Sequence, residues 1–173
     1  LAISKTEEGK PFLGEPAFAD THFNIAHTQG CVLCCLRRGA TIGVDIERLD
    51  RSPTIDKVKE RVFSTTELQR LSALHGDERQ TQLLKIWTGK EAYTKARGVG
   101  MGAEFSKITL DPLQPEFQLE EDLALQGETE DWSFQSFALG DDFQVTVVQS
   151  TPVEGVLNMC KIERDEMLQL AAA

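Results

Sequence analysis

From Cys31 to Leu36 every position is apolar, and an uninterrupted run this short suits a buried strand. Arg37-Arg38-Gly39-Ala40 has the composition of a turn. Strict alternation then sets in, with Ile42, Val44 and Ile46 on one side and Gly43, Asp45 and Glu47 on the other. A period of two predicts a strand over 41–47, one face buried and the other open to chemistry. The two runs are expected to pair as a hairpin. Upstream, 1–20 reads as loop punctuated by Gly9-Lys10-Pro11 and Gly14-Glu15-Pro16, with a short extended piece over 22–26.

The apolar period then lengthens. Ile55, Val58 and Val62 predict a helix over 53–63, and Ser64 opens a second one carrying Leu68 and Leu71, broken at Gly76-Asp77. Leu83, Leu84, Trp87 and Tyr93 mark the longest helix, 78–97, closed by Gly98. Gly89 inside it is expected to carry only a stability cost of about 1 kcal/mol relative to Ala. Beyond Gly102 the pattern returns to strands over 107–110, 132–139 and 143–148, the last two joined by Gly140-Asp141-Asp142. Residues 112–131 read as an acidic connector, and the tail over 153–170 as a short helix with a flexible end. The class is α+β with antiparallel sheets.

The chain has 173 residues, 40% hydrophobic and 27% charged, which suits one sizeable core or two small lobes. No apolar run is long enough to span a bilayer, and no basic-then-apolar leader points to secretion. The chain starts at Leu1 rather than Met, so a processed or partial sequence is expected.

The net charge of −10 is unevenly spread. Sixteen of the 18 Lys and Arg lie between Lys5 and Lys107, together with 14 of the 28 acids, which leaves that stretch at +2 and the remainder at −12. An anionic ligand is therefore expected on the first stretch. The overall acidity argues against non-specific nucleic-acid binding. Three of the four cysteines, Cys31, Cys34 and Cys35, are crowded together with Cys160 far away, which reads as small buried thiols in a cytoplasmic setting rather than a disulfide framework.

Asp45 and Glu47, two apart on one strand, present two hard oxygen donors to the same side, a pattern that suits Mg²⁺ but that, taken alone, more often marks a solvated strand face. Glu91 and Lys95, four apart on a helix, share a face. They are either a surface ion pair or a carboxylate for a metal beside an ammonium for a phosphate. Trp87, four residues before Glu91, is expected to anchor that helix in the core, while Lys90 points elsewhere. Ser64-Thr65-Thr66-Glu67 has the form of a capping box, which gives Glu67 a structural role by pattern alone. His27 is either a structural histidine or a donor to phosphate oxygens. Cys31 and Cys34 invite a zinc or redox reading, but the second cysteine pair that a zinc site wants is missing, and residues three apart on a strand face opposite sides.

The order of these pieces carries more than any one of them. Phe23-Asn24-Ile25-Ala26-His27-Thr28, Ile42-Gly43-Val44-Asp45-Ile46-Glu47, Phe63-Ser64-Thr65-Thr66-Glu67-Leu68 and Trp87-Thr88-Gly89-Lys90-Glu91-Ala92-Tyr93-Thr94-Lys95 follow one another. Together they closely resemble the signatures of the Sfp-type 4′-phosphopantetheinyl transferases, in the holo-acyl-carrier-protein synthase superfamily. Gly9-Lys10-Pro11 matches that family's upstream loop. The resemblance implies a 4′-phosphopantetheinyl transferase fold, a monomeric pseudo-dimer of two α+β lobes with coenzyme A in the cleft between them. The first lobe would be incomplete here: 1–52 its remainder, 53–150 the second lobe and 151–173 a tail.

By matching position, the resemblance makes Asp45, Glu47 and Glu91 the Mg²⁺ ligands and sets Lys95 on the pyrophosphate. It places His27 and Thr28 on coenzyme A phosphates, and Gly9, Lys10 and Pro11 at the adenine end. The implied reaction moves phosphopantetheine from coenzyme A to a serine of an apo acyl or peptidyl carrier protein and releases 3′,5′-ADP. Glu91 is the candidate base and Glu67 the alternative. Arg48 to Arg61 is rich enough in bases to dock an anionic carrier protein. Three departures stand out: the basic residues usual upstream of the Gly-Lys-Pro loop are missing, Thr28 replaces a serine, and Gly89 replaces a larger residue. The first of these leaves room for a non-catalytic fragment that binds carrier proteins without transfer.

Overall fold

A computed structural model describes residues 2–99, 104–112, 117–122, 131–150 and 157–162 of the chain. In its first segment, β1 (Ile3–Lys5) and β2 (Pro11–Leu13) form a small antiparallel ladder where only loop was expected. Gly9 makes the corner possible with a φ of +92°, a left-handed value that costs other residues a steric clash. Next come β3 (Thr21–Thr28) and β4 (Cys31–Arg38), which pair along their whole length across Gln29-Gly30.

That pairing corrects the hairpin expected between the cysteine-rich run and its successor. β5 (Ile42–Arg48) pairs instead with β9 (Phe143–Ser150), which in turn pairs with β8 (Trp132–Leu139), giving the order β5-β9-β8. The cysteine-rich run is also not a buried strand. Its inner positions are half-buried, while Val32, Cys34 and Leu36 are exposed. The β8–β9 hairpin at Gly140-Asp141-Asp142 is as the sequence predicts.

The helices follow β5. The stretch read as one helix over 53–63 is two short ones, α1 (Ser52–Asp56) and α2 (Lys59–Val62). α3 (Thr65–Ser72) starts at the predicted capping box: Glu67 N–H donates to Ser64 Oγ (3.3 Å) while Ser64 N–H donates to Glu67 Oε2 (2.8 Å). α4 (Gly76–Arg97) runs 22 residues and ends at Gly98, whose φ of +73° closes the helix in the left-handed region. β6 (Ile108–Asp111) pairs with β7 (Gln118–Asp122), a strand lying inside the stretch read as an acidic connector. Residues 157–162 are neither helix nor strand, and the rest of the helix expected in the tail lies outside the described residues.

Three layers result. Ile42, Val44 and Ile46 of β5, with Val145 and Val147 of β9, pack against the inner face of the β3–β4 hairpin. On the other face of the sheet, Phe134 and Val148 meet Ala92, Tyr93 and Ala96 of α4, with Ile108, Leu110 and Phe117 joining from the side. Ile55, Phe63 and Leu71 close over Leu83, Leu84 and Ile86 in the first half of α4. α4 is therefore covered nearly all round. The β5–β9 ladder joins segments on either side of the divide expected after residue 52. No helix among the described residues is long and apolar enough to cross a membrane.

Candidate functional site

Gly43 decides how β5 meets α4. A Cβ placed there would stand 2.0 Å from Ala92 O and 2.5 Å from Ala96 N, so only glycine lets the strand lie directly on the helix backbone. Asp45 is two residues further on and points to the same side. The face that alternation marks as open is therefore roofed by α4, and Asp45 is only 8% exposed. This corrects the expectation of one free strand face.

At that depth Lys95 Nζ donates to Asp45 Oδ1 at 2.7 Å and to Val44 O at 3.3 Å. Asp45 Oδ2 is buried and has no hydrogen-bond partner. An ionised oxygen in that position is costly unless a cation or donor reaches it. Burial pushes the Asp45 carboxyl up to about 7 against the pull of Lys95, and Glu91 and Glu47 push the same way. Glu91 is also raised, first by burial and further by Glu47, with Lys95 opposing. The three acids named from the sequence thus feel one another's charge. Glu47 lies 3.7 Å from Arg51 Nε.

Hard oxygen donors, mutual repulsion and an orphaned buried carboxylate oxygen fit a hard divalent cation in chemistry. Among the described residues, however, no three His, Cys, Asp or Glu side chains are grouped closely enough to hold an ion as they stand. Asp45 and Glu47 each face a basic side chain, Lys95 and Arg51 respectively.

A cavity of about 730 Å³ opens beside this cluster. Gly9, Lys10 and Pro11 line it together with Glu91 and Lys95, so residues from the two ends of the resemblance meet there. Lys10 bridges the parts: its Nζ donates to Ala96 O near the end of α4, and its stem lies against Gly98. A lysine at a helix C-terminus satisfies a free carbonyl and opposes the negative end of the helix dipole. Burial lowers the Lys10 pKa.

The sequence reading gave no ligand-site role to Arg61, Thr94, Phe105 and Ser106, which also line the cavity; Arg61 entered only as the end of the basic docking stretch and Thr94 only within a signature. Their signal was weak, since each is ordinary in its own segment and only the packing of α2 and the 105–107 turn on α4 brings them in. Trp87 both packs on the α1–α3 core and lines the cavity, with its ring edge-on to Phe105 at 6.3 Å. His27 and Thr28 lie elsewhere, in a shallower recess of about 530 Å³ with Gln29, Val32, Glu47 and Arg51.

Glu67 does not reach the cluster. It is fully buried and accepts from Ser64 N, Leu110 N and Lys90 Nζ. Gly89 has a packing reason beyond helix propensity, because a Cβ there would sit 2.6 Å from Phe117 Cζ and 2.8 Å from Leu110 Cδ1. Cys31 and Cys34 stand on opposite faces of β4 and are free thiols, Cys31 half-buried and Cys34 exposed, which corrects the reading of uniformly buried thiols.

Known proteins are similar to this chain in sequence and in fold. The family model described as the 4′-phosphopantetheinyl transferase superfamily matches residues 41–148, which runs from the start of β5 nearly to the end of β9. A 4′-phosphopantetheinyl transferase of Bacillus subtilis is 38% identical over 110 residues, 64% of this chain and 47% of that protein. The 4′-phosphopantetheinyl transferase HetI of Nostoc sp. is 36% identical over 110 residues, 62% of this chain and 46% of its own. This chain spans about half the length of the curated relatives it matches. Among solved structures, a holo-(acyl-carrier-protein) synthase from Bacillus anthracis in complex with CoA (3′,5′-ADP) superposes with a TM-score of 0.53 at 25% identity, over 64% of this chain and 94% of that one. The matched stretch covers well over half of the chain, and the chain belongs to the 4′-phosphopantetheinyl transferase superfamily.

Proposed function

We infer that this chain takes part in moving the 4′-phosphopantetheine group from coenzyme A to a serine of an acyl or peptidyl carrier protein, with release of 3′,5′-ADP. The observation that carries the reading is the buried Asp45 carboxylate with its bare Oδ2, set against Glu91 and Lys95 beside a cavity that Lys10 and Arg61 also line. That combination of acids and bases suits a diphosphate held together with a cation.

In this reading Asp45, Glu47 and Glu91 would hold Mg²⁺. When bound, the ion would neutralise charge that develops on the diphosphate. Lys95 sits within reach of the same ligand and would steady the leaving phosphate. Gly9, Lys10 and Pro11 would take the nucleotide end, and His27 and Thr28 would contact phosphate from the neighbouring recess. The carrier serine oxygen bonds to the β-phosphorus as the bond to the departing 3′,5′-ADP breaks. Glu91 takes the serine proton, a role that suits a carboxyl raised by burial. Glu67, enclosed in the core, is left out of the chemistry.

An anionic carrier protein would dock along Arg48 to Arg61. The two-lobed monomeric plan and a cytoplasmic setting belong to the same reading. β5 and β9, on either side of the proposed division after residue 52, pair with each other, and the four cysteines are free thiols. Calorimetric titration tests the site. Coenzyme A is expected to bind more tightly with Mg²⁺ present than in a chelator, and Asp45→Ala is expected to remove that difference. Equal affinity in both conditions would refute the metal assignment.

A further inference from the structure

The buried pair of Lys90 and Glu67 is unused by the chemistry above, yet Lys90 bonds to two residues of the cavity wall. Both side chains are 0% exposed, and Nζ lies 2.5 Å from Glu67 Oε2. Nζ also donates to Val62 O at 3.0 Å and to Phe105 O at 2.8 Å. Three acceptors around one nitrogen match the three N–H groups of an ammonium, whereas a neutral amine has two. Burial pulls the Lys90 pKa down and pushes that of Glu67 up, each opposed by the other's charge. Glu67 is equally occupied: Oε1 accepts from Leu110 N at 2.8 Å, and Oε2 from Ser64 N and Lys90.

These bonds tie the end of α2, the cap of α3, the 105–107 turn and β6 to the middle of α4. Val62 and Phe105, whose carbonyls Lys90 holds, both line the cavity, as does Glu91, its neighbour on α4. A buried ion pair is weak evidence for stability, because desolvation offsets much of its attraction, and well-packed neutral replacements are often as stable. What such a pair does supply here is a fixed set of distances between these segments.

We propose that Lys90, locked by Glu67, is a positioning residue that sets the separation of the α2 end and the 105–107 turn from α4, and so fixes the shape of the cavity. This concerns the wall whatever ligand the cavity takes. Its consequence for coenzyme A rests on the proposed function.

The test uses Trp87, a cavity-lining tryptophan packed edge-on to Phe105, as a reporter in a Trp132→Phe background. The double variant Lys90→Met with Glu67→Gln keeps the site neutral and filled. It is expected to melt within a few degrees of its parent while acrylamide quenching of Trp87 rises about twofold or more, as the wall loosens. Lys90→Met alone strands a buried carboxylate and is expected to melt far lower. Unchanged quenching in the double variant, at unchanged melting temperature, would overturn the proposal.

Amide exchange of the unsubstituted protein gives a second measurement if the variant does not fold. The Ser64 and Leu110 amides, which donate to Glu67, should exchange as slowly as the α4 amides around Lys90. Exchange tenfold or more faster than those, about 1.4 kcal/mol of separate opening, also overturns it. Coenzyme A affinity is expected to fall in the double variant. A parent protein that binds no coenzyme A counts against the functional reading, while the quenching result still decides the role of the pair.

Discussion

Asp45 shows what a single side chain reveals through its neighbours. The period-two pattern placed it with Gly43 and Glu47 on one face, and the structure agrees on the face. The pattern could not say that the face is roofed, because the roof depends on a side chain that is missing, at Gly43. The proposed role predicts that Asp45→Ala or Glu91→Ala abolishes transfer in a carrier-protein assay while circular dichroism still reports a folded chain. Full activity in either variant would remove both from the site. The cysteines make a second check. Burial pushes the Cys35 thiol up to about 11, and Cys34 beside it adds to the effect. Cys34 is exposed on the other face. Iodoacetamide at pH 8 is therefore expected to label Cys34 at least about ten times faster than Cys35, since the thiolate is the reactive form. Mass spectrometry of the peptides would show the gap narrowing as the pH approaches the Cys35 value.

α4 organises everything else; its apolar positions and its end at Gly98 were plain in the sequence, but it starts at Gly76, inside the pair read as a helix break. Less legible was how closely other elements approach it. Gly89 looked like a simple weakness in a helix, but Phe117 and Leu110 occupy the space its side chain would need. Gly89→Ala should therefore lose about 1–3 kcal/mol in a denaturant titration, although alanine is the better helix former by about 1 kcal/mol. Gly43→Ala, which drives a methyl into backbone, should cost more, about 4 kcal/mol or beyond. Stabilisation by either substitution would contradict the packing described. α1 is held to α4 by Asp56, which accepts from Arg79 at 2.5 Å and from Lys59 at 3.2 Å. The Arg79 bond, helped by Lys59, holds the Asp56 carboxyl below its ordinary value. Its contribution is therefore present above the unfolded value near 3.9 and lost as pH falls through the lower folded one. Because the pair is partly exposed and screened, Asp56→Asn should cost only about 0.5 kcal/mol at pH 7. Thermal melts should converge with those of the unsubstituted protein in acid, and a gap that persists there would assign the effect to something other than charge.

Across the chain as a whole, local signals were read more surely than long-range ones. The capping box at Ser64 and Glu67 is visible within four residues, but the Lys90 that completes it is 23 positions away. The β8–β9 hairpin was legible from its turn, whereas β4 was matched to the wrong neighbour because adjacency in sequence outweighed the β3 pairing that Gln29-Gly30 makes possible. β5 finds its partner about a hundred residues on, in β9, a pairing that no local pattern specifies. The cavity draws Lys10, Arg61 and Lys95 from the stretch that carries most of the bases, and Glu8, Glu91 and Glu104 line it with them.

Whether these parts suffice for transfer is best decided by intact-mass analysis of an apo carrier protein incubated with this chain, coenzyme A and Mg²⁺. A mass increase equal to one phosphopantetheine group, dependent on the added protein and absent with Asp45→Ala, is the predicted result. A carrier protein whose mass never changes, with a folded chain that binds it all the same, would contradict the assignment of activity to this chain.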